Sequence, residues 1–375
     1  VYHFTDVANS KRVSQVEGLS SDNCVSANRA YAYQPNGLLH STINSHGTRT
    51  LFTYNDRGLV NQRIDAAGLA EQRLVATTWH ATINKPEVID EGSRHTTYSY
   101  DAYGRVLSKT ISDASTHQSG SRRWSYSYSD LGRLTRMDGP RTDVDDSWHF
   151  EYDAAGYLSR LINPLGHHVT VAARDTSGLP TSVIDGNGVE LSLGYDRMGR
   201  TISANRAGHL SAYVYNDAGQ LTRITLPGSG VINYEYDAAG RLITITNSQG
   251  HSISYTLDAA GNRRSQSVRD EYDNVVFASS SAFDELNRLR EELDASNQPA
   301  MAYTYDAAGN RTHDIEPLGA RTSRLYDALN RVRQLTQRDR GIVNFTYDRL
   351  DQLDAVTDPR GLVTDYDYDG LGNLL

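Results

Sequence analysis

Cysteine is all but missing. The 375-residue chain has one, Cys24, which excludes an internal disulfide framework and a cysteine-based zinc site. Proline is scarce at 9 and phenylalanine at 6. No apolar stretch approaches the roughly 18 residues that a membrane-spanning helix needs. Positive charge is in deficit, with 37 Lys+Arg against 46 Asp+Glu and a net charge of −9. A sequence-independent nucleic-acid binder needs the opposite, a basic patch that releases phosphate counterions, so no nucleic-acid partner is expected. Hydrophobic residues make up 38% of the chain, low for a globular domain. The chain opens on Val without a basic-then-apolar leader and ends mid-pattern at Leu374-Leu375. Both ends therefore read as cut, and a fragment of a longer polypeptide is expected.

Tyrosine and glycine are plentiful, 24 and 30 residues. Tyrosine favours strands and glycine marks turns, so the composition points to many short strands. The segment Tyr236-Asp-Ala-Ala-Gly240-Arg241-Leu242 recurs at Tyr100, Tyr152, Tyr195, Tyr305 and Tyr368, and more weakly at Tyr33, Tyr54, Trp79, Tyr128, Arg174, Tyr215, Leu257, Phe283, Tyr326 and Tyr347. Of the 15 intervals between these 16 registers, eight are 21 residues. That regularity identifies one repeat array in place of the two or three domains that length alone suggests. The fifth position is Gly in 12 copies and Asn287, Asn330 or Asp351 in three more, the residues that accept positive φ. Ile83 is the exception, and there the register is expected to slip by one, to Asn84. The second position is Asp in 11 copies and Asn in two. This spacing predicts a type I turn closed by a left-handed residue, a hairpin connection.

About half a repeat on, a second signal appears as Asp/Asn-x-x-Gly, at Asn44, Asp65, Asn163, Asp185, Asn247 and Asp358, with Glu316-Pro-Leu-Gly319 as a variant. Each repeat then holds two turns and two strands of about six residues. The strands alternate, with one face more apolar and Ser, Thr and Arg opposite. The expected organisation is an irregular lead-in over 1–32 and a continuous β-hairpin repeat array over 33–375. Longer intervals predict loops at Ser112–Ser121, Asp138–Asp146 and Arg269–Ser281. Ser281–Leu293 could pass for a short helix, but its start fits the turn register.

Few residues suggest chemistry. Asp365-Tyr-Asp367-Tyr-Asp369-Gly370 matches the first half of a calcium-binding loop, yet no flanking helix is apparent and the closing Glu would fall beyond Leu375. It reads as a repeat turn preceded by two acids. Asp143, Asp145 and Asp146 read as a solvated insertion. His167 and His168 are adjacent in a strand pattern and point to opposite faces. Cys24 reads as a small buried residue. The recurring Tyr-Asp pairs lack the uniqueness that a catalytic constellation requires. Cross-strand packing accounts for the tyrosines more simply than stacking on sugars. No catalytic, cofactor or metal residue is assigned, no cofactor is expected, and the chain does not read as an enzyme.

The sixteen Tyr-Asp-x-x-Gly registers and the Asn/Asp-Pro-x-Gly half-turns resemble the YD-repeat, or RHS-repeat, family over about the whole chain. So does the stretch from Val16-Glu17-Gly18 through Tyr54-Asn55-Asp56-Arg57-Gly58-Leu59. The resemblance implies an all-β fold, a long antiparallel sheet spiralling into a hollow shell. In bacterial members such a shell encloses a variable C-terminal toxin domain; the insecticidal Tc toxin cocoon is an example, and the animal teneurins use a similar shell for adhesion. The aspartyl autoproteolysis motif that ends the family's core is not found before Leu375, and the delivery modules are missing. The expectation is a shell-wall segment of a secreted or cell-surface bacterial protein. Its partners would be its own C-terminal toxin domain and a delivery apparatus. The alternative is a carbohydrate-binding or adhesion module. A sheet of roughly 30 strands must curl or close in any case, because twist accumulates and raw edges invite aggregation.

Overall fold

The computed structural model describes residues 1–21, 25–113, 120–369 and 371–375. Cys24, Gly370 and the centre of the Ser112–Ser121 interval lie outside them. The described residues form 33 strands, from β1 (Tyr2–Val7) to β33 (Val363–Asp365), in one antiparallel sheet without helices. Strands pair with their neighbours in the chain. The repeat is clear in β21 (Val231–Tyr236), β22 (Leu242–Asn247), β23 (Ser252–Leu257) and β24 (Arg263–Arg269). Within the β21–β22 hairpin the ladder runs from Ile232↔Asn247 to Glu235↔Thr244, then shifts by a bulge to Tyr236↔Leu242. Between hairpins the ladder is shorter: β22 and β23 share only Thr244↔Ser254, Ile245↔Ile253 and Thr246↔Ser252, next to the half-turn. Towards the Tyr-Asp turns, neighbouring hairpins splay apart.

The turns follow the sequence. Fifteen of the 16 fifth positions have positive φ, the Gly at 75–93° and Asn287, Asn330 and Asp351 at 61–64°. A carbonyl-to-amide bond closes each of these turns, as from Gly240 N to Asp237 O at 2.9 Å, and a second bond, Asp237 N to Arg241 O at 2.9 Å, forms the bulge. The Trp79 copy departs from this pattern. Neither Ile83 nor Asn84 is left-handed; the turn is one residue longer, and Trp79 pairs with Pro86.

The half-turns at Asn44, Asn163, Asp185, Asn247, Glu316 and Asp358 close in the same way. Asp65 does not head a turn. It ends strand β6 (Val60–Asp65), pairs with Arg73 in the ladder, and binds Arg63 and Arg73 through its carboxylate. The expected loop over Arg269–Ser281 is also corrected. Asp270–Asn274 form a tight turn and the remaining length enters β25 (Val275–Phe283), the longest strand. Three of these residues are Val275, Val276 and Phe277, which favour extended backbone. Ser281–Leu293 is strand, turn and strand, as the register predicts. The lead-in 1–32 carries a hairpin of its own, β1 with β2 (Ser10–Val16), turned by left-handed Ala8 and Asn9.

Register separates the two faces. Across β21–β24, Tyr234, Ile245, Ile253 and Val268 line up on one face, while Asn233, Thr246 and Ser252, and then Glu235, Thr244, Ser254 and Ser267, line up on the other. One face is tyrosyl and aliphatic, the other hydroxyl and amide. Neither is covered by a second layer. The exposed area is 22878 Å², against about 15,000 Å² for a compact protein of this mass. Ala66 is the only fully buried apolar residue among those described. Two compact units can be distinguished: Val1–Trp124 with Phe283–Glu291 and Pro299–Leu375, and Ser125–Ala282 with Glu292–Gln298.

Candidate functional site

A wall one sheet thick has no core to hold it, so its cohesion must lie in the repeat turn. In ten motifs the tyrosine that opens the turn reaches back one repeat. The Tyr236 hydroxyl donates to the Leu221 carbonyl at 2.8 Å, Tyr195 to Pro180 at 2.8 Å, Tyr305 to Leu289 at 2.7 Å and Tyr347 to Val332 at 2.9 Å. In each case the acceptor is the first residue of the strand leaving the preceding turn. That residue sits where neighbouring hairpins splay, so its carbonyl has no ladder partner and the phenol supplies one. The two polar substitutions at this position keep the bond. Trp79 Nε1 donates to the Val60 carbonyl at 2.9 Å and Arg174 Nη2 to the Leu158 carbonyl at 2.6 Å. Leu257 and Phe283 carry no donor. Tyr98 and Tyr100 stack at 6.4 Å between ring centroids, but they are neighbours along one strand, Arg94–Tyr100, and not across a pair of strands. Sequence reading missed the hydroxyl's role, although the donor-preserving exchanges to Trp79 and Arg174 were a readable signal.

The second and sixth positions complete the unit. Asp237 Oδ1 accepts the backbone amides of Ala239 and Arg241, both at 2.9 Å, and its Oδ2 accepts Arg241 Nε at 2.7 Å. The guanidinium bond from Arg241, followed by the two amides, holds the Asp237 carboxyl below its ordinary value. Asn262 does the same for Asp258 through its side-chain amide. The sixth position then reaches forward: Arg241 Nη1 donates to the Asp258 carbonyl at 2.7 Å and Gln220 Nε2 to the Gly240 carbonyl at 2.7 Å. Arg200, Arg288 and Arg331 lie over the rings of Tyr215, Tyr305 and Tyr347 at 4.7, 4.5 and 4.6 Å. The Tyr236 turn is thus tied backward by its tyrosine and forward by Arg241, and the Tyr215 turn backward by its tyrosine and forward by Gln220.

Within the first unit, segments far apart in sequence also meet. Arg73 binds Asp65 at 3.1 Å and also Asp351, 278 residues on. Arg331 binds the same Asp351 at 2.9 Å. His46 Nε2 lies 3.4 Å from Asp306, and Arg122 bonds Asn373 across 251 residues. The early half-repeat turns here face late Tyr-Asp turns, through side chains and not through a backbone ladder. A cleft of about 260 Å³ lies along this seam, lined by Arg73, Asp327, Arg331, Tyr347 and Arg349 among others.

Residues 71–256 match the family described as Teneurin YD-shell, and residues 347–375 match the RHS Repeat. The chain is a member of the RHS/YD-repeat family. No curated protein matches it in sequence. Its fold is similar to that in the crystal structure of TcdB2-TccC3-TEV, with a TM-score of 0.51 at 14% identity over 93% of this chain and 22% of the solved one. It is likewise similar to TcdB2-TccC3-Cdc42, with a TM-score of 0.50 at 15% identity over 93% of this chain and 26% of the solved one. This RHS/YD chain therefore spans about a quarter of the solved chains it resembles.

The residues singled out for chemistry are engaged as structural parts of the RHS/YD wall. Asp369 is a turn aspartate: its Oδ1 accepts the Leu371 and Asn373 amides at 3.0 and 2.8 Å, and its Oδ2 binds Asn373 Nδ2. Asp365 lies in β33 and Asp367 accepts the Leu375 amide through its backbone carbonyl. In the insertion, Asp143 pairs with Arg141 at 2.6 Å and Asp146 accepts the Arg141 amide at 3.0 Å. His167 closes a half-turn and His168 opens β15 (His168–Arg174). One cluster escaped sequence reading. Ser147 Oγ lies 2.6 Å from Asp145 Oδ1 and 3.1 Å from His149 Nε2. Serine, histidine and aspartate meet, but in the wrong order for a nucleophile. The hydroxyl proton goes to Asp145, the histidine does not bridge acid and serine, and Ser147 is only 1% exposed. The hydroxyl bond from Ser147 lowers the Asp145 carboxyl below its ordinary value, and the cluster pins the insertion to β13 (Trp148–Tyr152).

Proposed function

We propose that this chain is a wall segment of an RHS-type toxin shell that sequesters a C-terminal toxin domain for delivery to other cells. The observation that carries this reading is a single-layer sheet with two unlike faces, held laterally by turn-to-turn bonds and needing no packed core. Such a sheet can enclose a volume while exposing a largely hydroxyl and amide face, which offers no strong apolar grip to a polypeptide beside it. Membership of the RHS/YD-repeat family, and the fold shared with the TcdB2-TccC3 structures, support it. The partners in this reading are the chain's own C-terminal toxin domain and a delivery apparatus, and the location is secreted or cell-surface. The turn residues act as scaffold and not as catalysts.

Intact-mass analysis and peptide mapping of the native polypeptide, followed by limited proteolysis, test this reading. A longer chain whose C-terminal part is cleaved, retained and resistant to protease while the wall is intact is the expected result. A native product anchored at the surface, with no retained and protected tail, would sink the proposal in favour of adhesion.

A further inference from the structure

One groove in the first unit has a character unlike the rest of the wall. It spans β28 (Arg311–Ile315), β29 (Arg321–Tyr326), β30 (Val332–Thr336) and the start of β31 (Ile342–Tyr347), with a volume of about 710 Å³. That lies within the roughly 300–1,000 Å³ typical of ligand sites. The register His313↔Ser323↔Thr336↔Ile342 places its floor on the hydroxyl face. Its rim carries Arg321, Arg338 and Arg340. Glu316 holds one edge of the Arg338 guanidinium, whereas no carboxylate among the described residues pairs with Arg321 or Arg340. The nearby Asp314 sits on the opposite face with Arg311 and Arg324. Burial, and after it the Arg321 charge, lower the His313 pKa against the opposing pull of the Asp314 carboxylate. Asp339 turns its carboxylate to the Gly341 amide, and the groove lining itself holds three arginines and no carboxylate in a chain of net charge −9.

A second observation is independent of charge. Arg340 takes the left-handed position of its half-turn, at φ 71°. The same position holds Gly166, Gly188, Gly319 and Gly361 in other half-turns, or a small polar residue in Asn297 and Ser229. A long side chain there is strained, and strain of this kind collects at functional positions. Here it places a guanidinium on the groove.

We propose that this groove binds an acidic peptide segment, with Arg321, Arg338 and Arg340 pairing with its carboxylates and Gln334, Gln337 and Thr336 hydrogen-bonding its backbone. Leu325 and Ile342 add apolar floor. No Phe, Tyr or Trp ring lines the groove, so a sugar ring lacks the usual stacking platform, and a lone inorganic anion would fill little of the volume. Guanidinium forks match carboxylates in a bidentate way, which lysines would not. The inference concerns the wall segment itself and does not depend on what the shell encloses.

The test is fluorescence anisotropy of a labelled hexaglutamate peptide with the full chain. Saturable binding is expected, weakened at least tenfold by Arg340→Gly and similarly by Arg321→Gln. Arg206→Gln, at an ion pair with Asp185 in the second unit, should leave binding unchanged. Arg340→Gly should also raise the melting temperature by removing the left-handed strain, which shows that the variant is folded. Unchanged affinity in a stabilised Arg340→Gly protein overturns the proposal. So does displacement of the peptide by equimolar inorganic phosphate, which would make this a general anion site. Tighter binding of a sulfated oligosaccharide than of the peptide would replace it with glycan recognition.

Discussion

At the scale of single residues, the tyrosine hydroxyl is the recurring fastener. Each bond satisfies a carbonyl that the splayed hairpins leave without a partner, and a bond of this kind contributes about 0.5–1.5 kcal/mol net. Tyr236→Phe is expected to destabilise the fold by about 1 kcal/mol while keeping the ring. Leu257→Tyr offers the reverse test. The Leu242 carbonyl occupies the acceptor position of that repeat, so the new hydroxyl should stabilise by roughly 0.5–1 kcal/mol. Urea melts of both variants decide the point, and a neutral Tyr236→Phe would remove the phenol from the account. The turn carboxylates make a second residue-scale prediction. Asp237 is lowered chiefly by the Arg241 guanidinium, Asp270 by the Asn274 amide, and Asp185 by the Val189 backbone amide. A carboxyl whose folded pKa lies below its unfolded value stabilises fully above that unfolded value, about 3.9. The contribution disappears as pH falls through the lowered folded value. The wall should therefore lose stability steeply on acidification below about pH 4. In Asp237→Asn, that slope measured by far-UV circular dichroism should be shallower.

At the scale of elements, two kinds of joint differ in strength. Successive hairpins share a backbone ladder, two pairs long at its shortest, reinforced by the tyrosine bond. The seam inside the first unit has only side chains, centred on Arg73 between Asp65 and Asp351. Arg73 is 22% and Asp351 43% exposed, so solvent screens the pair and each such contact contributes about 0–1 kcal/mol. A double-mutant cycle of Arg73→Met with Asp351→Asn should give a coupling near 0.5 kcal/mol at low salt, fading at high salt. Amide protection in β22 and β23 should not change, because no ladder bond crosses the seam. A coupling that is absent at low salt would deny the seam any part in stability.

For the whole molecule, a sheet without a second layer behaves as a line of neighbours and not as a globule. Apart from the side-chain seam of the first unit, each repeat touches the one before and the one after, so stability is largely a sum of local terms. All-or-none unfolding is then the wrong expectation for 375 residues. Denaturant curves followed by circular dichroism and by tyrosine fluorescence should be broad and should not coincide. Superimposable, steep transitions would point to a cooperative core that the exposed area does not support.

Most of the hairpin array was legible in the sequence. Turn geometry is local, so Asp at the second position and Gly, Asn or Asp at the fifth dictate the bulged turn wherever they recur, and alternation dictates the faces. Ile83 marked the Trp79 copy as irregular, but the expected slip of the left-handed place to Asn84 does not occur, because the turn is one residue longer. What needed tertiary structure is everything that depends on which repeats become neighbours across space. The tyrosine's carbonyl partner lies one repeat away and exists only because the hairpins splay. Asp65 leaves its expected turn because Arg63 and Arg73 converge on it, and Asp351 joins Arg73 over a separation that no local pattern encodes. The half-turn Arg340 looks like an ordinary exposed cation in the sequence. Only the assembled strands place it with Arg321 and Arg338 on one groove, because charge proximity is a property of the sheet and not of the repeat.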